Sequence, residues 1–144
     1  MFPHSLTDAV LTRRVMDAVA ASTASTSSTG VDMLGYTGVR FIASLGTLTA
    51  GSSPTMQAQS SSDDGVADAY AAIGSATAAM PDADDNKLLI VQVYRPKERY
   101  VRVNIPLATQ NRVIDGIVAE LYRAEQQAVA KHSTVSAQQM DVNV

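Results

Sequence analysis

Lys87-Leu88-Leu89-Ile90-Val91-Gln92-Val93-Tyr94 runs into Arg95-Pro96-Lys97-Glu98 and then into Arg99-Tyr100-Val101-Arg102-Val103-Asn104-Ile105-Pro106-Leu107. In the last run Val101, Val103, Ile105 and Leu107 share one face, while Tyr100, Arg102 and Asn104 share the other. That period of two is a half-buried β-strand. The first run is apolar on both faces at Leu88 to Val91, which reads as a central strand covered on both sides. The charged connector has hairpin length, and Pro96 has no N–H with which to extend a ladder. The two runs therefore read as a β-hairpin.

Working outward, Val39-Arg40-Phe41-Ile42-Ala43-Ser44-Leu45 repeats the pattern. Val39, Phe41, Ala43 and Leu45 face one way, Arg40 and Ser44 the other, with Ile42 as the exception. Gly35 and Gly38 precede this strand, and Gly46 and Gly51 follow it. Thr55 to Gln59 reads as a further strand; its small, polar alternation after Pro54 fits a sheet edge. Asp64-Gly65 is a turn, Val66 to Gly74 is weakly patterned, and Ala76 to Asn86 reads as loop. Residues 112–123 support two readings. Ile114, Ile117, Val118 and Leu121 form a helical stripe; Val113, Ile117, Ala119 and Leu121, broken at Gly116, form a bulged strand. Glycine costs about 1 kcal/mol inside a helix, so Asp115-Gly116 favours the strand. Several short strands with Gly and Pro turns predict an all-β, single-domain β-sandwich of jelly-roll-like form, with extended N- and C-terminal arms.

The arms are set off by composition. Ala20 to Gly30 is nearly all Ala, Ser and Thr and holds no large side chain that would anchor it in a core. Upstream, Leu11, Val15 and Val19 have helical spacing, but Val10, Thr12 and Arg14 also permit a strand. The expected division is an N-terminal arm over 1–30, a sandwich body over 31–123 and a polar tail over 124–144. Aromatic residues make up only 5% of the chain, so its core must be aliphatic.

Net charge is −3, which leaves no basic field for a phosphate backbone and argues against nucleic acid as partner. Without cysteine the chain has neither disulfides nor thiolate chemistry. Its start lacks a cationic segment followed by an apolar run, and no apolar stretch nears the ~20 residues of a membrane span. The expectation is a protein made in a cytoplasm, without a membrane partner.

Familiar chemistry is absent from the sequence. His4 and His132 both fall in the expected arms, away from any partner that would orient a general base. Asp82-Ala83-Asp84-Asp85-Asn86 begins like a calcium loop, but Lys87 and Val93 stand where that loop needs Gly and Glu. There is neither a phosphate-binding Gly-Lys-Ser/Thr loop nor a Gly-x-Ser-x-Gly elbow. The expectation is a protein that is not an enzyme, with no catalytic residues, metal or cofactor. Candidate partner contacts are Leu11, Val15 and Val19 in the first arm; Val129, Val135 and Met140 in the tail; and the basic cluster Arg95, Lys97, Arg99 and Arg102, which reads either as a solvated hairpin end or as a docking patch for an acidic surface, with Arg99 and Arg102 on opposite strand faces.

An ordered set of motifs narrows the class. Val31-Asp32-Met33-Leu34-Gly35-Tyr36-Thr37-Gly38-Val39-Arg40-Phe41-Ile42 is followed by Gly46-Thr47-Leu48-Thr49-Ala50-Gly51, Gln59-Ser60-Ser61, Asp64-Gly65 and Arg99-Tyr100-Val101-Arg102. Over residues 31–123 this resembles the small capsid cement, or decoration, proteins of tailed bacteriophages. The chain departs from their pattern at Val66 to Tyr70, where an aromatic commonly follows the Asp-Gly turn. The resemblance implies a jelly-roll-like structural protein of the virion, bound over the outside of the capsid, with the major capsid protein of an HK97-like shell as partner. It also implies a homodimer or homotrimer. Minor head-completion or tail components, and a carbohydrate-binding sandwich, are the alternatives. The last is disfavoured because the chain lacks Trp.

Overall fold

The computed structural model describes residues 6–82, 84–125, 130 and 132–138. After one helical turn, α1 (Leu6–Ala9), the described residues form ten strands: β1 (Val10–Met16), β2 (Val19–Ser22), β3 (Thr26–Ser27), β4 (Val31–Asp32), β5 (Tyr36–Leu48), β6 (Thr55–Ser61), β7 (Ala71–Ala79), β8 (Leu88–Tyr94), β9 (Tyr100–Ile105) and β10 (Arg112–Ala124). They make two five-stranded antiparallel sheets. One has the order β1-β10-β5-β8 with β2 also on β10; the other has β3-β9-β6-β7 with β4 also on β9. The expected β-sandwich is present.

Its core is the set of inward positions that period two selects. Val39, Phe41, Ala43 and Leu45 from β5 meet Met56 and Ala58 from β6 and Val101, Val103 and Ile105 from β9, all buried. β10 is a strand, as Asp115-Gly116 favoured. Its register against β5 slips between Ile114 and Gly116, where Gly116 has φ of 146°. A Cβ there would stand 3.3 Å from the Met16 carbonyl oxygen, so glycine lets β1 close in beside the bulge.

The expected hairpin is not formed. β8 pairs with β5 in one sheet, and β9 pairs with β3, β4 and β6 in the other. The connector is an arch between sheets. Arg95 turns the chain at φ of 50° and its N–H bonds the Thr37 carbonyl at 2.8 Å. Period two tells which side chains face the core, and the two sheets of a sandwich face the same core from opposite sides. Alternation therefore cannot say that two consecutive strands share a sheet.

Other expectations are corrected in the same way. β8 is an edge strand open on its outer face: Leu88, Ile90 and Tyr94 are 56%, 47% and 49% exposed, whereas Leu89, Val91 and Val93 are buried. Ile90 is thus not a core residue. Leu107, expected on the core face, is exposed because the chain leaves β9 at Pro106. β6 is internal to its sheet, since its outward glutamines report solvent on that face and nothing about the ladder beside it. Ala76 to Ala79, read as loop, complete β7.

Residues 6–30 belong to the body. β1 lies along β10, with Val15 and Met16 in the core, and the Ser/Thr-rich stretch crosses from one sheet to the other. Small hydroxyl side chains make that crossing possible. Ser28 exchanges main-chain and side-chain bonds with Val103: its N–H reaches the Val103 carbonyl at 2.9 Å, and its Oγ accepts the Val103 N–H at 3.0 Å. Arg112, buried with 1% exposure, fastens the same crossing. Its guanidinium donates to the carbonyls of Ser22 at 3.2 Å, Ala24 at 2.6 Å and Ile105 at 3.2 Å. One side chain thereby joins the crossing segment, β9 and β10.

A candidate docking surface

The outward residues of the β1-β10-β5-β8 sheet fall into rows set by register. Ile90, Ile42 and Val118 lie side by side across β8, β5 and β10. The next row is Gln92, Arg40 and Glu120, and the next is Tyr94, Gly38 and Tyr122. Gly38 has no side chain, and the Tyr122 ring lies over it: a Cβ at Gly38 would be 2.3 Å from the ring. Tyr122 thereby reaches across β5, and its hydroxyl accepts a hydrogen bond from the Gln92 amide of β8. Arg40 Nε donates to Glu120 Oε2 at 2.9 Å within the middle row. An exposed pair of this kind contributes at most about 1 kcal/mol. With Leu88 beyond Ile90, the face carries an aliphatic and aromatic patch across three adjacent strands, crossed by one neutralised ion pair.

The opposite outer face is polar. Asn104 donates to Ser25 Oγ at 3.1 Å and Ser27 Oγ at 2.9 Å. Arg102 Nε donates to Gln59 Oε1 at 2.9 Å while its guanidinium sits 4.1 Å from the Tyr70 ring centre. Tyr70 donates to Asp64, and both pack over Gly30, where a Cβ would overlap them. Burial, and then the Asp64 bond and charge, push the Tyr70 hydroxyl well above the usual tyrosine range. This face is already satisfied by its own side chains. The two sides of the sandwich thus differ, and the apolar one is unpartnered among the described residues.

The residues expected to contact partners are dispersed. Val15 is in the core, and Leu11 and Val19 are half-buried against it, so this part of the first arm is spent inside the body. Arg95, Lys97 and Arg99 do come together. They line a shallow cleft of about 490 Å³ at one end of the sandwich with Met33, Tyr36 and Glu125. Arg99 is held there by Asp32, Nε to Oδ1 at 2.9 Å and the second nitrogen to Oδ2 at 2.7 Å. The Arg99 bond, with the Leu34 N–H, holds the Asp32 carboxyl below the ordinary 3.8 against the opposing effect of burial. Arg95 and Lys97 are exposed, with Arg95 5.5 Å from the Tyr94 ring centre. Arg102 lies on the polar sheet face, away from this cleft.

In the tail, Val135 is half-buried and its N–H bonds the His132 carbonyl at 2.9 Å. Thr134 Oγ1 accepts the Arg14 N–H at 3.0 Å, and the Gln138 amide reaches the Thr7 carbonyl at 3.1 Å. This part of the tail lies on the molecule's own β1. Val129, Met140 and His4 lie outside the described residues. His132 is held below the usual histidine range by burial and by the charge of Arg13, and its Nδ1 accepts the Thr134 N–H at 3.2 Å.

The acidic loop before β8 does structural work. Asp82 accepts the Gly51 N–H and Asp85 the Leu48 N–H, each at 2.9 Å, and Asp84 pairs with Lys87 at 2.6 Å. Among the described residues no group of three or more His, Asp or Glu is arranged to hold a metal ion. The patch around Ile42 and Ile90 is what residue-by-residue reading missed as a site. Its signal was present in the two-sided apolarity of Leu88 to Val91, which was read as a second covering layer of the same chain.

No protein-family model matches the chain, and no curated protein matches it. Among solved structures, the fold is similar to one described as "Crystal structure of PBSX exported protein XepA", with 16% sequence identity and a TM-score of 0.52. The similarity covers 99% of this chain and 47% of that one, so this chain spans about half the length of its neighbour. At that identity the likeness is one of fold.

Proposed function

We propose that this protein is a structural component of a tailed-bacteriophage particle, bound to the outer surface of the capsid, where it holds neighbouring major capsid protein subunits together. The observation that carries the reading is the asymmetry of the sandwich. One outer face is polar and internally bonded, while the other presents Ile42, Ile90, Val118 and Tyr94. A clamp needs a rigid body and one adhesive face, and need not do chemistry. The ordered motifs of residues 31–123 support the phage assignment. So does the phage protein named for the structural neighbour.

Contacts over several subunits make such a clamp effective. A standard interface buries about 1,600 Å² and is dominated by a few apolar anchors. Repetition over a symmetric shell adds avidity to each weak contact. A charge placed in the patch separates docking from folding, because Ile42 points away from the core. Purified protein is expected to co-sediment with shells that lack it, and Ile42→Asp to bind about 10-fold or more weakly, the loss of one central anchor. Equal binding by the variant would remove the patch from the interface. Failure of the wild-type chain to bind would remove the capsid from the reading.

One observation favours a second reading. The structural neighbour is described as exported. A phage-encoded protein released from the cell, rather than mounted on the particle, would be absent from purified virions.

A further inference from the structure

The edges of the two sheets are not equally protected. β1 has a main-chain group taken by the tail, whose Thr134 Oγ1 accepts the Arg14 N–H. β7 is broken by a register shift opposite Gln57 to Gln59 and by Gly74 at φ of 39°. β3 and β4 are two residues each. β8 has none of these devices on its own strand, although β7 of the other sheet packs beside it. Its seven residues pair with β5 on one side and with no strand on the other among the described residues. Between Leu88 and Tyr94 it holds no charge, proline or glycine, and half of its side chains are exposed and mainly apolar. A regular, apolar edge strand of this kind is a template for another strand.

We infer that the β8 edge pairs antiparallel with the β8 edge of a second copy of this chain, joining the two apolar sheets into one continuous sheet across a twofold axis. Charge chooses this occupant and this direction. Asp82, Asp84 and Asp85 precede β8, while Arg95 and Lys97 follow it, and neither of the latter is in an ion pair among the described residues. Antiparallel self-pairing brings the acidic start of one strand to the basic end of the other. Parallel pairing would set like charges together at both ends. With Ile90 on the axis, Leu88 faces the second copy's Gln92, and the acidic turn around Asp85 comes to the end of the ladder beside the second copy's Arg95. Even-numbered residues then oppose even-numbered residues, which keeps both apolar stripes on one face. In the neighbouring register, with Val91 on the axis, Lys87 instead of the acidic turn would come to the end of the ladder beside Arg95, a like-charge approach.

The ladder is short, because Asn86 and Arg95 turn away at φ of 57° and 50°. Such an interface falls below the ~1,600 Å² standard size, so the dimer is expected to be weak, forming in the micromolar range and strengthened wherever copies are held side by side. The inference does not rest on the capsid reading, since it concerns the isolated chain.

The test uses the full chain in solution and its lack of cysteine. Sedimentation is expected to show a concentration-dependent monomer–dimer equilibrium. Under mild oxidation Ile90→Cys is expected to cross-link to itself. Ile42→Cys, on the same face but one strand further in, so about 14 Å from its counterpart across three strand spacings, is expected to remain largely monomeric. An Ile90→Lys chain that keeps the wild-type circular dichroism should be monomeric throughout. A wild-type chain that stays monomeric at high micromolar concentration would overturn the inference. So would cross-linking of Ile42→Cys as efficient as that of Ile90→Cys, which would mean face-to-face packing, or dimers that survive Ile90→Lys.

Discussion

Arg112 carries an unusual share of the fold for one surface-type residue. Burial lowers its affinity for its proton, yet three carbonyl oxygens converge on its guanidinium. Removing it leaves those acceptors without their donor in a site closed to water. Arg112→Ala is therefore expected to destabilise the folded chain by about 2–4 kcal/mol, and Arg112→Lys to recover only part of that loss, because an ammonium cannot span three divergent acceptors. Urea denaturation followed by circular dichroism measures both; a loss for Arg112→Ala below about 0.5 kcal/mol, the range of ordinary surface changes, would deny it this role. Nothing in the sequence around Arg112 advertises this. An arginine at the start of an apolar strand is normally a solvated end, and its acceptors are main-chain atoms, some of them about 90 positions away. Arg102 is the reverse case. It read as a free docking residue, but Tyr70 and Gln59, distant in sequence, absorb it.

At the scale of elements, Asp63 organises the turn between β6 and β7. Its carboxylate accepts the N–H groups of Ala67 at 2.7 Å and of Val66 and Asp68 at 3.1 Å each. The Ala67 bond, then the Asp68 bond, hold its pKa below the ordinary 3.8. A lowered folded value places the stabilisation above 3.8 and removes it as pH falls through the folded value. In a pH titration by NMR, the amides of Val66, Ala67 and Asp68 should therefore move together with a midpoint below 3.8. A midpoint at or above 3.8 would mean that the carboxylate does not hold the turn. Most strands were readable for a local reason. Inward residues must be apolar, and Val39 to Leu45 and Val101 to Ile105 obey that rule without help from distant positions. Pairing was not readable. β8 and β9 each satisfy the rule, but whether they share a sheet depends on what β5 and β6 offer them. β1 was hidden differently: Val10 to Met16 fits two periodicities, and only the long β10 beside it selects the strand. The same limit applies to the candidate site. The apolarity of Leu88 and Ile90 was visible, but that nothing in the described chain covers it was a property of the assembled sandwich.

The whole molecule is a two-faced sandwich. The sheet-to-sheet crossing fastened by Ser28 and Arg112 ties the two sheets together, and one outer face is polar. The other face, with the β8 edge at its margin, is suited to a surface and to a second copy. Edge pairing of two copies would double the continuous apolar area offered to a shell, so weak self-association and weak docking would reinforce each other on a crowded particle. The reading makes a demand on number, because a reinforcing clamp must recur at every equivalent joint. The most direct measurement is the copy number of the protein in purified particles, by quantitative mass spectrometry against the major capsid protein. The account predicts one copy per shell subunit or a simple fraction of it; a handful of copies, or none in the particle, would contradict it.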